Sequence, residues 1–136
     1  MSPQLVLVRD GLEGAVPWVT QVLRDAGMKV DVVSSAELDA HRPADAVLMK
    51  FRERNPVDTC WHLHRLGHRS VVAVSGAASS RECIQLLNAG ADYYLDAWMP
   101  AAELAARVRV VLRFSGWLER HPAPAARITP RSAPAQ

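Results

Sequence analysis

The sequence predicts an α/β domain in which helices cover both faces of a parallel β-sheet. Short apolar runs alternate with longer segments of helical periodicity, five of each in succession. Residues 5–8 and 71–74 are continuously apolar, which is typical of strands buried on both faces. Functional groups in such a sheet gather at the carboxyl ends of the strands, so the loops of interest begin at Arg9, Ser34, Lys50, Ser75 and Asp96.

The first two strand–helix units follow from local patterns. Residues 5–8 are the first predicted strand. Gly27 ends a helical stripe made of Val16, Val19, Val22, Leu23 and Ala26. Residues 30–33 are the second strand, and Ser34 with Glu37 forms a capping box for a short helix that ends before Pro43.

The third unit combines a strand at residues 46–49 with a helix that ends before Gly67. The polar segment 51–57 contains Asn55 and Pro56 and predicts a loop. Asp58 is the predicted N-cap of the helix that follows. We expect Trp61 in this helix, and Trp18 in the first helix, to be core or helix-packing residues.

The last two units begin with the strand at residues 71–74. Ser79 and Glu82 form a second capping box, and Gly90 ends the helix that they open. Residues 93–95 are a short fifth strand. The last helix has an apolar stripe of Leu104, Val108, Val111 and Leu112.

Length and composition indicate one globular domain followed by a tail. The chain has 136 residues, of which 49% are hydrophobic and 22% charged. Residues 1–120 are the predicted domain, and the Pro/Ala-rich residues 121–136 are a linker or a disordered tail.

Cys60 and Cys83 lie in apolar-periodic segments and are expected to be reduced thiols of a cytoplasmic protein. We expect no membrane span and no signal peptide, and a net charge of +2 does not by itself indicate nucleic acid.

Three short motifs, in the right order and spacing, resemble those of a known family. They are residues 90–95 followed by Glu103, Leu104 and Arg107; residues 74–76; and residues 45–49. Together they resemble the receiver domain of bacterial two-component response regulators, most closely those with a winged-helix DNA-binding domain. The resemblance spans about residues 4–115 and implies a flavodoxin-like (βα)5 fold, with a doubly wound five-stranded parallel sheet.

The phosphorylation pocket of this family is degenerate in the present sequence. A receiver uses an Asp nucleophile, an acidic pair that holds Mg²⁺, and a Thr or Ser and a Lys that bind the phosphate. At the matching positions this chain has Arg9 and Asp10 for the acidic pair, Lys50 for the nucleophile, Ser75, and Ala97 for the lysine. The resemblance therefore implies an atypical receiver that acts without phosphorylation, with no catalytic residue, no metal and no cofactor.

The charges at this pocket leave two arrangements open. Lys50 pairs with Asp10 and stands in for the metal, or Lys50 extends to water while Asp10 pairs with Arg9 or caps the next helix. Three histidines, His62, His64 and His68, are close in the sequence and could suggest a metal site. No nearby carboxylate or cysteine completes a ligand set, so we do not predict a metal site.

The resemblance also assigns roles outside the pocket. Tyr94 matches the switch aromatic, which turns inward when phosphate is sensed; the alternative is a tyrosine at the sheet edge with an exposed hydroxyl. Asp92, Arg107 and Arg113 match the charged edge of a homodimer face formed by the fourth helix, fifth strand and fifth helix. Their alternative is ordinary solvated charge.

Two functions from different classes remain. The first is a regulatory module that dimerises or docks and controls a DNA-binding effector, either attached beyond the tail or separate. The second is a domain that senses a small-molecule ligand in the pocket bounded by Asp10, Lys50, Ser75 and Trp98. An enzyme is not expected, because the sequence has no glycine-rich phosphate loop, activated nucleophile or metal cluster.

Overall fold

A computed structural model describes residues 4–9, 16–52 and 55–120, and it has the predicted architecture. Ten elements alternate along the chain: β1 (Leu5–Arg9), α1 (Val16–Asp25), β2 (Lys29–Val33), α2 (Ser35–Ala40), β3 (Ala46–Met49), α3 (Pro56–Arg65), β4 (Val71–Ser75), α4 (Ser80–Ala89), β5 (Tyr93–Asp96) and α5 (Ala101–Arg120). The predicted tail, residues 121–136, lies outside the described residues.

The strands form one parallel sheet in the order β2-β1-β3-β4-β5. Two apolar cores lie on its opposite faces: one packs α1 and α5 against the sheet, and the other packs α2, α3 and α4. Side chains of β1, β3 and β4 belong alternately to the two cores, which is why these strands are continuously apolar. The predicted five-stranded doubly wound fold is therefore confirmed.

Two local predictions are wrong. The N-cap of α3 is Asn55 rather than Asp58, because Pro56 supplies a first helical residue whose φ is already fixed. The amide of Asn55 instead donates a hydrogen bond to the Asp58 carboxylate at 3.0 Å. Trp61 is not a core residue, since 61% of its surface is exposed, and Trp18 is also exposed.

Of the two predicted capping boxes, only that of α2 is complete. In α4 Ser79 Oγ accepts from the Glu82 N–H, but the Ser79 N–H donates to the Tyr94 hydroxyl rather than to Glu82. The Ser34–Glu37 capping box of α2 is complete, since Ser34 Oγ accepts from the Glu37 N–H and Glu37 accepts from the Ser34 N–H.

Gly90 ends α4 with φ of +118°, and an added Cβ there would lie 3.1 Å from the Cβ of Cys60. Both cysteines are free thiols, and among the described residues no helix is long and apolar enough to cross a membrane.

One buried histidine lies near the amino ends of the strands. His68 is 2% exposed, and its Nδ1 accepts a hydrogen bond from the Ala44 N–H at 3.0 Å. An accepting Nδ1 carries no proton, so the ring is the neutral tautomer. Its Nε2 has no hydrogen-bond partner among the described residues. Burial, and secondarily the nearby His41, His64 and His62, lowers the pKa of His68 below its ordinary value of 6.5.

We predict that His68 makes the fold acid-sensitive. Because its pKa is lower in the folded chain, the unfolded chain binds the proton first as the pH falls, and the free energy of unfolding decreases below about pH 6.5. Denaturant unfolding between pH 5 and 7.5 measures this slope, with the values chosen around the ordinary histidine pKa of about 6.5. In His68→Gln the slope should be smaller, because the side chain whose pKa is lowered in the folded chain is gone. Equal slopes in wild type and His68→Gln would contradict the prediction.

Candidate functional site at the carboxyl edge of the sheet

The parallel register brings the predicted pocket residues to one edge. Val8 pairs with Leu48, Met49 with Ala73, and Ser75 with Asp96. The strands therefore end side by side, in the order Arg9, Lys50, Ser75 and Ala97 across β1, β3, β4 and β5. Asp10 lies outside the described residues, so its pairing with Lys50 stays a prediction.

A guanidinium connects the first two of these strand ends. Arg9 is half-buried, and its Nη2 donates a hydrogen bond to the main-chain carbonyl of Lys50 at 2.5 Å. Hydrogen bonds from a charged donor are shorter and stronger than neutral ones. The positively charged side chain of Arg9 thus links the end of β1 to Lys50, the residue that follows β3.

Ser75 and Ala97 are integrated into the surrounding backbone. Ser75 is buried, its Oγ accepts from the Ala77 N–H at 3.1 Å, and its carbonyl accepts from the Ala97 N–H at 2.8 Å. The methyl group of Ala97 belongs to the core on the α1–α5 side. An alanine here adds to the core and supplies no charge to the edge.

The turn after β5 presents an aromatic side chain beside this edge. The Trp98 N–H donates to Asp96 Oδ1 at 2.9 Å, which fixes a tight turn. The indole of Trp98 is 54% exposed. The turn thus carries an accessible aromatic side chain at the residue that follows Ala97.

Tyr94 lies near the edge, and its hydroxyl makes two hydrogen bonds to α4 and its N-cap. Its hydroxyl donates to Glu82 Oε1 at 2.5 Å and accepts from the Ser79 N–H at 3.1 Å. The hydroxyl is hydrogen-bonded at the first turn of α4, and both the switch role of Tyr94 and its alternative stay predictions. Burial, followed by the hydrogen bond to Glu82, raises the pKa of Tyr94 above its ordinary value of 10.0.

Two of the three residues expected at a dimer edge, Asp92 and Arg107, bind other residues of the chain. Asp92 Oδ2 accepts from His64 Nε2 at 2.7 Å and from the Val71 N–H at 2.8 Å. Arg107 donates to Glu103 one helical turn away, at 3.0 and 3.1 Å. Arg113 is exposed on α5.

The histidines do not converge. His62 contacts Asp39 at 3.0 Å, His64 contacts Asp92, and His68 is buried against Ala44. Within residues 4–9, 16–52 and 55–120, no three side chains of His, Cys, Asp or Glu come together as metal ligands.

Glu82 is the residue whose tertiary role the sequence did not reveal. Its spacing from Ser79 predicted a capping box, and Tyr94 stood out as an aromatic. However, no sequence signal joins Glu82 to Tyr94, because their contact depends on how α4 packs against β5.

Comparison with solved structures identifies this fold among known proteins. The receiver domain of a CheY-like response regulator from Methanospirillum hungatei has a TM-score of 0.66 and 20% identity, covering 85% of this chain and 98% of that one. The BeF3-activated N-terminal receiver domain of RstA from Klebsiella pneumoniae has a TM-score of 0.64 and 26% identity, covering 81% and 98%. An orphan response regulator of H. pylori has a TM-score of 0.59 and 22% identity, covering 82% and 97%.

The comparison of sequences gives no match, either to a protein-family model or to a curated protein. The structural likeness is nevertheless consistent, since all three neighbours are response regulators or their receiver domains and the alignments span nearly their whole length. The chain has the fold of CheY-like receiver domains, and the resemblance found in its motifs is confirmed at the level of the fold.

We predict that the Arg9 guanidinium contributes to stability through the Lys50 carbonyl. Arg9→Met should lower the free energy of unfolding by about 1 kcal/mol, the order expected for a half-buried hydrogen bond from a charged group. Arg42→Met, at an exposed arginine, is the control and should have almost no effect. Urea unfolding measures both, and equal stability of Arg9→Met and wild type would contradict the role given to this bond.

Proposed function

We propose that this chain is a receiver-like signalling module that acts without aspartyl phosphorylation. The observation that carries the proposal is the charge at the carboxyl edge, where the Arg9 guanidinium contacts the Lys50 carbonyl. The three neighbours named above are response regulators or their receiver domains, which supports a role in signal transduction.

The chemistry of the edge supports this proposal. A phosphoacceptor must be a carboxylate to form an acyl phosphate, and the ammonium of Lys50 cannot do so. Mg²⁺ prefers oxygen ligands, so a guanidinium in place of a carboxylate opposes its binding. With Ala97 in the core, the edge also lacks the lysine that would contact a phosphate.

The output of the module is a homodimer through α4, β5 and α5. Four apolar side chains are exposed on the two helices: Ile84, Leu87, Val110 and Phe114. Apolar contacts of this kind supply most of the affinity of an interface, while charges at its rim set the register and the salt dependence. Asp92, Arg107 and Arg113 are the proposed rim.

The proposed effector binds DNA through a domain of its own, joined to this one through residues 121–136 or carried on a separate chain. The module itself is not an enzyme in this proposal, needs no cofactor, and acts in the cytoplasm. One structural neighbour, from H. pylori, is an orphan response regulator.

A second candidate is a domain that senses a small-molecule ligand at the same edge. The observation that favours it is the exposed Trp98 indole, which the Asp96 turn holds beside Ala97. An exposed aromatic side chain in the turn that follows β5 would suit a ligand with a ring.

We predict that small phosphodonors leave the protein unmodified. Wild type incubated with acetyl phosphate and Mg²⁺ should keep its intact mass, because the edge has no carboxylate at the acceptor position. Lys50→Asp alone should also stay unmodified, since Arg9 still opposes Mg²⁺. The triple variant Arg9→Asp, Lys50→Asp, Ala97→Lys restores the receiver pattern and is the positive control. A single phosphoryl adduct on wild type that disappears on mutating a nearby carboxylate would overturn the proposal.

We predict a dimer that depends on the exposed side of α4. Wild type should sediment as a dimer at roughly 10–100 µM, a range that detects micromolar association. Leu87→Glu should shift it to monomer, because it places a charge among apolar contacts. Val32→Glu is a matched control, since Val32 is 41% exposed and Leu87 42%, but Val32 lies on β2 at the opposite edge of the sheet. A monomeric wild type would rule out constitutive dimerisation and favour the ligand-sensing candidate.

A further inference from the structure

The N-terminus of α4 is capped in an unusual way. Ser79 Oγ accepts from the Glu82 N–H at 3.1 Å, which is the first half of a capping box. In the second half, the glutamate would accept from the Ser79 N–H. Here the Ser79 N–H donates to the Tyr94 hydroxyl instead, and that hydroxyl donates to Glu82.

Helix α2 provides an internal comparison. Its capping box uses the same residue types, and Glu37 accepts directly from the Ser34 N–H at 2.9 Å. The box of α2 is therefore closed within its own first turn. In α4 the Tyr94 hydroxyl, from β5, lies between the Ser79 N–H and the Glu82 carboxylate. The capping of α4 therefore includes a tertiary contact, whereas that of α2 is local.

We infer that Glu82 is the positioning residue that fixes α4 against β5, with the Tyr94 hydroxyl as the connecting group. The contact sets the orientation of the first turn of α4 and hence of the exposed side chains of Ile84 and Leu87. The inference rests on the proposed function only in that these two side chains are part of the proposed dimer face.

Three properties of the contact support this role. An O–H···O⁻ hydrogen bond to a carboxylate is stronger than a neutral one. A glutamate in the first helical turn also interacts favourably with the helix dipole. Finally, the Tyr94 hydroxyl lies between Glu82 and the Ser79 N–H, so it acts as a donor and as an acceptor in the same network.

The adjacent tyrosine is a natural control. Tyr93 is also half-buried but packs against the other core, on the α1–α5 side of the sheet. The sequence contains two tyrosines, so Tyr93→Phe leaves Tyr94 as the sole phenol. The ionisation of Tyr94 can then be followed by ultraviolet absorbance.

The test is amide hydrogen exchange of the whole chain, resolved for the first turn of α4. Tyr94→Phe keeps the ring and removes the hydroxyl, and it should speed exchange in this turn by roughly tenfold, the factor for one net hydrogen bond. Glu82→Ala should do the same, and the double variant should add little, because both changes break one network.

Glu82→Gln retains an acceptor and should restore part of the protection. Tyr93→Phe should leave α4 unchanged, and Glu37→Ala should affect α2 alone.

The tyrosine titration gives a second, independent readout. In the Tyr93→Phe background, Glu82→Ala should lower the pKa of Tyr94, because the hydrogen bond to Glu82 contributes to its elevation. Unchanged exchange in Tyr94→Phe or Glu82→Ala, or an unchanged titration in Glu82→Ala, would overturn the inference. These readouts do not require a dimer, so a monomeric wild type would overturn the proposed dimer and leave the role of Glu82 to be decided by exchange and titration.

Discussion

The structure depends on the burial of its three central strands on both faces. β1, β3 and β4 have almost no side chain that reaches water before their last residues. Polar groups can therefore appear only where these strands end, and parallel pairing brings those ends to one edge. Arg9, Lys50 and Ser75 are close to one another because of this constraint, and the chemistry of the edge follows from which residues stand there.

The strands and their order along the chain could be predicted because a strand buried on both faces is a continuous run of apolar residues in the sequence. The start of α3 was harder, since Asp58 and Asn55 are both good capping residues and Pro56 decided between them. Trp61 was misplaced because helical periodicity identifies a stripe but does not say that every large apolar residue joins it. Its neighbours Cys60 and Leu63 take the core positions instead.

The contacts that define the site were the least accessible to sequence reasoning. Tyr94 and Glu82 are twelve positions apart, and His64 and Asp92 are twenty-eight apart. Each pair joins a helix to the region of β5, so it depends on packing rather than on local spacing. The same holds for Arg9, whose partner is a main-chain carbonyl and thus carries no mark in the side-chain sequence. The ends of the predicted strands identify which residues lie at the edge, but the residues that they bind depend on how the helices and strands pack.

The Arg9–Lys50 contact has a consequence for how such a chain can change over evolutionary time. Arg9 binds the main-chain carbonyl of residue 50, so this bond does not depend on which side chain stands at that position. The side chain at position 50 can therefore change while the bond between the two strand ends is kept. A lysine at position 97 would have to leave the core that Ala97 now helps to fill. The two positions therefore differ in how freely they can vary, since residue 50 contributes its carbonyl to the contact and residue 97 contributes its side chain to the core.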